Sequence, residues 1–183
     1  MRRTILLLAG MLILAGTATC SPAWPWIRPS PSPSPGGDAC HPGGVAYCAL
    51  NATVTQATKG TTICAPGWNQ SERRRGDSIV HYATLKRKLL DQMHARGEHP
   101  DWDLAHVELD HRMAISLGGS VTDLSNLSLE YGDAGHPGDL THNRKDDAET
   151  QLFDAACHHG MDLGKARAQL VRDWLGPFPQ YKA

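Results

Sequence analysis

The sequence predicts an α+β domain in which a two-stranded hairpin packs against a helix, with flanking helices and stabilising disulfides. Two short apolar runs, 107–111 and 124–129, are separated by the turn signal Gly118-Gly119 and read as strands. A helical pattern follows over about residues 142–158. Cysteines also remain in an even number beyond the N-terminal region, which favours disulfides in an exported protein.

The first 20 residues have the features of an export signal. Arg2 and Arg3 supply a positive start, residues 5–15 are nearly all apolar, and small residues follow at 16–18. The apolar run is shorter than the roughly 20 residues that a membrane span needs. Cys20 stands where a lipid-modified cysteine would stand, and the alternative is that it is lost with the leader. We therefore expect a secreted protein, either free or anchored to the cell membrane through Cys20.

The rest of the chain divides by composition. Residues 21–38 are rich in Pro and Ser, cannot bury a core, and are predicted to be an extended linker. Residues 39–60 form a Cys-containing segment with one short strand expected near 52–57. The main domain is expected over 61–176, beginning with a strand at 61–64, and residues 177–183 are a C-terminal tail.

The cysteines of the mature chain allow three pairings. Because Cys40 and Cys48 are close in sequence, we pair them, which leaves Cys64 with Cys157. The second bridge would close a long loop and stabilise the fold by roughly a few kcal/mol. The competing interpretation is a zinc site, but the sequence has no CxxC knuckle.

Charge gives two opposing indications about nucleic acid as a partner. The formal net charge is −1, and it becomes −3 once Arg2 and Arg3 leave with the signal, whereas nucleic-acid binders are usually basic. Residues 72–88 are locally basic and would attract a phosphate backbone, although a solvated helix face is the alternative. The basic side chains of this segment are Arg73, Arg74, Arg75, Lys86, Arg87 and Lys88.

Three helices are predicted, at 78–96, 142–158 and 163–174. Thr141 is the expected N-cap of the second helix, and Gly160 is expected to end it. The apolar face of the first helix consists of Ile79, Tyr82, Leu85, Leu89 and Met93. The apolar face of the second helix consists of Leu152, Phe153 and Ala156. The apolar face of the third helix consists of Leu163, Ala166, Leu170 and Trp174.

The candidate metal-binding and proton-accepting side chains lie around Asp110 and His111, at the end of the first predicted strand. A carboxylate there can bind a cation, while the neighbouring imidazole can accept a proton from water near neutral pH. Without its context an Asp-His pair would be a surface dipeptide. The context is Asn126, whose amide can hold the opposite loop, and His142, which can bring a second metal ligand. Lys145, one turn further on, could reach a phosphate or pair with Asp110.

This pattern resembles the HNH endonuclease family, the ββα-metal nucleases. The motifs that carry the resemblance are Leu109-Asp110-His111, Gly118-Gly119, Ser125-Asn126-Leu127 and His142-Asn143-Arg144-Lys145. More narrowly, the chain looks like a group of small exported bacterial proteins in this superfamily, over roughly residues 61–175. The matching segments are 62–67, 145–149, Cys157 and Asp173-Trp174. Ala114-Ile115 departs from the Pro-Leu that is frequent in this group, and the cysteine knuckles of many HNH nucleases are absent.

The resemblance implies a role for each residue of the pattern. His111 would be the general base, Asn126 would orient the histidine loop, and Asp110 and His142 would bind the metal, with Asn143 as the alternative to His142. Lys145, Arg144 and Glu149 would support the metal or bind phosphate, and a salt bridge on the helix surface is the alternative for Glu149. The implied cofactor is a divalent cation, Mg²⁺, Mn²⁺ or Zn²⁺.

The activity expected from the resemblance is hydrolysis of DNA, with RNA as the alternative, by a monomer of low sequence specificity. The sequence has no base-reading module that would add selectivity. Two other interpretations remain open: a cell-envelope binding or structural protein that has the fold without catalysis, and a hydrolase of another phosphodiester.

Overall fold

The computed structural model describes residue 40 and residues 47–133 and 138–175. The expected export signal, Cys20, the linker and the C-terminal tail lie outside these residues. Within them, the chain combines helices with a two-stranded sheet, so the predicted α+β class is confirmed.

The sheet is an antiparallel pair, β1 (Val107–His111) and β2 (Leu127–Tyr131). His111 pairs with Leu127 and Asp110 with Ser128, which fixes the end of β1 beside the start of β2. β1 has the predicted bounds. β2 begins later than predicted, because Leu124–Asn126 forms a 3-10 turn in which the Asp123 side chain accepts a hydrogen bond from the Ser125 N–H at 2.9 Å.

Two helices precede the sheet, α1 (Trp68–Val80) and α2 (Tyr82–Ala95), where the sequence predicted one helix over 78–96. They are separated by His81, a non-glycine residue at φ 58°. The predicted apolar face is also partly wrong, since Ile79 is 57% exposed and Leu90 is buried where Leu89 was expected. Periodicity did not indicate α1, because its sequence is polar almost throughout and only Gly76 is buried.

Two helices follow the sheet, α3 (Arg144–His158) and α4 (Leu163–Leu170), and a π-helical turn continues α4 over Val171–Leu175. Gly160, at φ 73°, follows the end of α3 as predicted. The predicted apolar residues of both helices lie in or against the core. Leu152, Ala156, Leu163, Ala166 and Leu170 are buried, and Phe153 and Trp174 are partly buried.

The strands predicted at 52–57 and 61–64 do not form. The structure describes both stretches, and they consist of turns and a 3-10 helix at Lys59–Thr61. Threonine side chains account for the difference. Thr58 Oγ1 donates to the Thr53 carbonyl at 2.7 Å and accepts from the Thr55 N–H at 2.8 Å. Such local side-chain bonds compete with pairing between strands.

Both predicted disulfides are present, Cys40–Cys48 and Cys64–Cys157. The second joins residues 93 positions apart, and closing a loop of that size contributes on the order of 4 kcal/mol in a chain-entropy picture. Two disulfides indicate an oxidising, extracellular-type environment. None of the helices in the described part of the chain is long and apolar enough to cross a membrane.

Candidate active site

A cleft of about 240 Å³ opens at the end of β1, and we refer to it as the His111 cleft. The lining comes from α1, from the end of β1 and the residues that follow it, and from α3. The lining residues are Asn69, Gln70, Arg73, Asp110, His111, Ala114, Ile115, Ser116 and Glu149. The cleft therefore combines an imidazole, two carboxylates and a guanidinium.

His111 is only 4% exposed, and its ring is held at one nitrogen. Nε2 lies 3.1 Å from the hydroxyl of Tyr82, and the two rings meet edge to face with their centroids 5.5 Å apart. Burial lowers the pKa of His111 to about 4, with Arg73 and Lys145 acting in the same direction and Asp110 opposing them. The imidazole is therefore neutral at pH 7 and able to accept a proton.

Beneath the cleft, Lys145 is surrounded by carboxylates, and we call Asp110, Glu130, Lys145 and Glu149 the lysine cluster. Lys145 is only 3% exposed, and its ammonium donates to the Asp110 carboxylate and, at 3.1 Å, to the His111 carbonyl. It lies 2.7 Å from Glu149 Oε1 and 3.4 Å from Glu130 Oε1. The predicted pairing of Lys145 with Asp110 is thus present, and Lys145 is not among the residues that line the cleft.

The charges of the lysine cluster do not balance, because one ammonium faces three carboxylates. Burial disfavours the charge of Lys145, but Asp110, Glu149 and Glu130 outweigh burial and hold its pKa well above the usual range. Burial raises the pKa of Glu149 to about 8 and that of Glu130 to about 7, although Lys145 acts against both shifts. The cluster therefore retains protons on its glutamates near neutral pH.

Asn126 is fully buried and fixes the loop that follows His111. Its Oδ1 accepts hydrogen bonds from the N–H of Met113 at 2.9 Å and of Ala49 at 3.3 Å. Its Nδ2 donates to the carbonyls of Met113 at 3.1 Å and of Ser120 at 2.9 Å. Gly119 makes this packing possible, because a Cβ there would collide with the Met113 carbonyl and lie 2.8 Å from Asn126 Nδ2.

The start of α3 differs from the prediction at its cap. Asn143, not Thr141, is the N-cap, and its side chain accepts from the Lys145 N–H at 2.8 Å while Asp146 accepts from the Asn143 N–H at 2.8 Å. The Asn143 side-chain oxygen is thereby engaged in the cap. This capping box is what places Lys145 in the first turn of the helix, facing Asp110.

The structure does not bring every predicted site residue to one place. Asp110, His111 and Glu149 line the cleft, whereas His142 does not. The His142 ring precedes α3 and lies 3.1 Å from Asp147 Oδ1 and 3.6 Å from Asp146 Oδ2 in the first turn of that helix. Arg144 lines a second cavity, of about 540 Å³, between α3 and the C-terminal turn, together with Trp174.

The donor set of the cleft bears on the divalent cation that the resemblance implies. No group of three or more His, Cys, Asp or Glu side chains is arranged to hold a metal within residues 47–133 and 138–175. However, Mg²⁺ typically keeps several waters and takes only one or two protein carboxylates together with substrate phosphate oxygens. The carboxylates of Asp110 and Glu149 face the same cleft and fit this requirement.

Several cleft residues were not predicted as part of the site. Asn69 and Gln70 have no distinguishing sequence signal, whereas Arg73 belongs to the basic segment that the charge pattern indicated. Two residues outside the cleft lining also contact the site: Tyr82, which contacts His111 and was assigned only to an apolar helix face, and Glu130, which contacts Lys145 and was assigned no role. Asn69, Gln70 and Arg73 reach the cleft on α1, Tyr82 reaches His111 from the start of α2, and Glu130 lies on β2.

Glu108 gives a prediction about stability and pH. Burial, with smaller contributions from Asp110, Asp146 and Glu130, raises the pKa of Glu108 from 4.5 to about 8, and its Oε1 has no hydrogen-bond partner. The folded state holds this proton more tightly than the unfolded chain, so the contribution of Glu108 to stability is lost as pH rises from about 4.5 to about 8.

We therefore expect Glu108→Gln to match the wild type in free energy of unfolding near pH 5 and to exceed it by about 2 kcal/mol above pH 8, a figure reduced from the full linkage value because the side chain is partly exposed. Urea unfolding in the presence of a chelator measures this difference. The exposed carboxylate variant Asp91→Asn is the control. A difference that does not change with pH would contradict the prediction.

Comparisons of the chain with family models, with curated proteins and with solved structures find no match.

Proposed function

We propose that this protein is an exported HNH-type phosphodiesterase that hydrolyses DNA, with His111 as the general base. The observation that supports this most is the neutral imidazole of His111 in a cleft that also presents Arg73 and the carboxylates of Asp110 and Glu149. A base, a cation for phosphate and two oxygen ligands for a metal are the groups that phosphodiester hydrolysis requires.

The chain's own residues divide the work as follows. The Arg73 guanidinium binds a non-bridging oxygen of the scissile phosphate. His111 accepts the proton of the attacking water, whose oxygen forms the new bond to phosphorus as the bond to the leaving oxygen breaks. Asn126 keeps the loop after His111 in place through its four hydrogen bonds.

Asp110 and Glu149 would hold a divalent cation, which when bound supplies charge stabilisation for the phosphate and the departing oxygen. Without a cation, the Lys145 ammonium lies within ion-pair distance of both side chains. The assignment of His142, or of Asn143 in its place, as a further ligand stays a prediction from the resemblance.

Conversion of supercoiled plasmid to nicked circles tests this proposal, using the exported, oxidised chain with added Mg²⁺, Mn²⁺ or Zn²⁺ and with a chelator as the blank. We expect nicking that requires metal, and we expect His111→Ala to lower its rate by about 10²–10⁴-fold, the usual contribution of a general base. His94→Ala, which removes an exposed histidine of α2, should retain wild-type activity.

Two adjacent arginines provide a second matched pair. Arg73 lines the cleft, whereas its neighbour Arg74 is exposed and does not. If Arg73 binds the scissile phosphate, Arg73→Ala should slow nicking far more than Arg74→Ala, although both remove one positive charge. Equal effects of the two substitutions would indicate that Arg73 contributes only to the non-specific electrostatic attraction of the DNA phosphates.

The alternative of a catalytically inactive cell-envelope protein makes the opposite prediction. It is supported by the net charge of −1, which does not favour binding to a polyanion. Absence of nicking with all three metals, in a sample whose circular dichroism and cooperative unfolding show that it is folded, would reject the proposal of DNA hydrolysis, and inactivity on RNA and on a small phosphodiester as well would favour this alternative.

A further inference from the structure

Tyr82 makes two polar contacts that together determine which ring nitrogen of His111 carries the proton. Its hydroxyl lies 2.8 Å from the Val121 carbonyl and 3.1 Å from His111 Nε2. A carbonyl oxygen can only accept, so the single hydroxyl proton goes to Val121. The tyrosine oxygen then offers only a lone pair to the histidine, and Nε2 must be the donor.

This argument selects one of the two neutral forms of the ring. A neutral imidazole carries one N–H, and if that N–H is on Nε2, then Nδ1 has the lone pair. No side chain or backbone group in the described residues forms a hydrogen bond with Nδ1. Nδ1 is therefore the ring nitrogen whose lone pair can accept a hydrogen bond or a proton from a ligand in the cleft that His111 lines.

We infer that Tyr82 is a positioning residue that holds His111 in the Nε2–H form, so that Nδ1 is the atom that accepts the proton. The part of this inference that concerns proton acceptance rests on the proposed function, whereas the form of the ring does not. Tyr82 does not touch the substrate; it acts through His111.

The surroundings of Tyr82 are built to keep its hydroxyl in place. Tyr82 is the first residue of α2, directly after the break at His81, and its backbone N–H donates to Asp77 Oδ1 at 3.1 Å. Gly76 on α1 lies against the hydroxyl so closely that a Cβ there would collide with it and would lie 2.8 Å from the Val121 carbonyl oxygen. The break between α1 and α2 thus aims this side chain at His111.

Nuclear magnetic resonance of the ¹⁵N-labelled imidazole at pH 7, in the metal-free protein, tests the inference directly. The shifts of the two ring nitrogens and their couplings to the ring carbon-bound protons distinguish the two neutral forms. We expect the wild type to show His111 with a protonated Nε2 and an unprotonated Nδ1. An Nδ1–H form in the wild type would overturn the inference, whatever the activity of the protein.

Tyr82→Phe removes the acceptor, and we expect its His111 signals to shift towards a mixture of the two forms. The plasmid-nicking rate should then fall by about three- to tenfold at saturating substrate, in line with loss of one hydrogen bond, without a matching change in KM. Tyr131→Phe, which deletes the hydroxyl of a tyrosine that does not contact His111, should leave both readouts unchanged.

Gly76→Ala is the second variant, because it keeps the hydroxyl but displaces it. It should give the same mixture of His111 forms as Tyr82→Phe. Unchanged His111 signals in a folded Tyr82→Phe protein would overturn the inference. If the signals behave as expected while no protein nicks DNA, the proposed function fails and the structural role of Tyr82 stands.

Discussion

Replacing Lys145 with methionine is expected to lower the free energy of unfolding by about 3–5 kcal/mol near pH 8, the usual result of removing one partner from a buried ion pair. The reason lies in the lysine cluster, where Asp110, Glu130 and Glu149 would be left without their cation. Methionine preserves the length and the apolar stem of lysine, so the loss reports the ammonium rather than a cavity.

The loss should shrink as the pH falls. Burial raises the pKa of Glu130 to about 7 and that of Glu149 to about 8 even with Lys145 present, and both pKa values should rise further without it. At about pH 5 both glutamates would be protonated in wild type and variant alike, whereas near pH 8 the folded wild type can ionise them beside Lys145 and the variant cannot, so the loss is larger near pH 8. Chemical denaturation at both pH values, in a chelator, gives the two free energies. Lys165→Met, at an exposed position on α4, is the control, and a loss below about 1 kcal/mol at pH 8 would contradict this account of the cluster.

The second large effect is expected for Asn126→Ala, with a loss of roughly 3–5 kcal/mol. The substitution leaves the N–H and carbonyl of Met113 without their partner, and each unsatisfied buried group costs about 1–3 kcal/mol. Nicking should fall as well, because the loop after His111 would lose its anchor.

Asn126→Asp is the sharper variant, because it keeps the shape of the side chain while it replaces the amide donor with an ionisable carboxyl oxygen. The aspartate would place an oxygen, in place of Nδ2, against the carbonyls of Met113 and Ser120. We expect it to be at least as destabilising as Asn126→Ala at pH 7. Gln151→Ala, the loss of an exposed amide on α3, should change the unfolding free energy by less than about 0.5 kcal/mol. A stable Asn126→Asp protein would show that the two hydrogen bonds donated by Asn126 Nδ2 contribute little.

The features that the sequence predicted well are those with a local or arithmetic signal. β1 and the apolar faces of α3 and α4 follow from periodicity, and the two disulfides follow from a count of four cysteines with one close pair. The pairing of Lys145 with Asp110 was one of two options left open, and burial of the ammonium selects it.

The features that it missed depend on contacts between distant segments. α1 is polar in sequence and is held against the site by packing, so Asn69, Gln70 and Arg73 could not be placed in the cleft beforehand. The start of α3 was displaced by two residues because Thr141 and Asn143 both suit an N-cap, and only Asn143 has a reciprocal partner, Asp146. The threonine-rich stretch before α1 has β propensity, but its hydroxyls bond nearby backbone and form turns.

The bridge between Cys64 and Cys157 has a consequence for when the cleft acquires its shape. Cys64 lies just before α1, which carries Arg73, and Cys157 lies in the last turn of α3, which carries Glu149. This disulfide therefore links the segment before α1 covalently to α3, and α1 and α3 are the two helices that supply these side chains. In a reducing compartment the newly made chain would lack this disulfide. Oxidation of Cys64 and Cys157 is therefore a maturation step that precedes the form in which α1 and α3 are covalently linked.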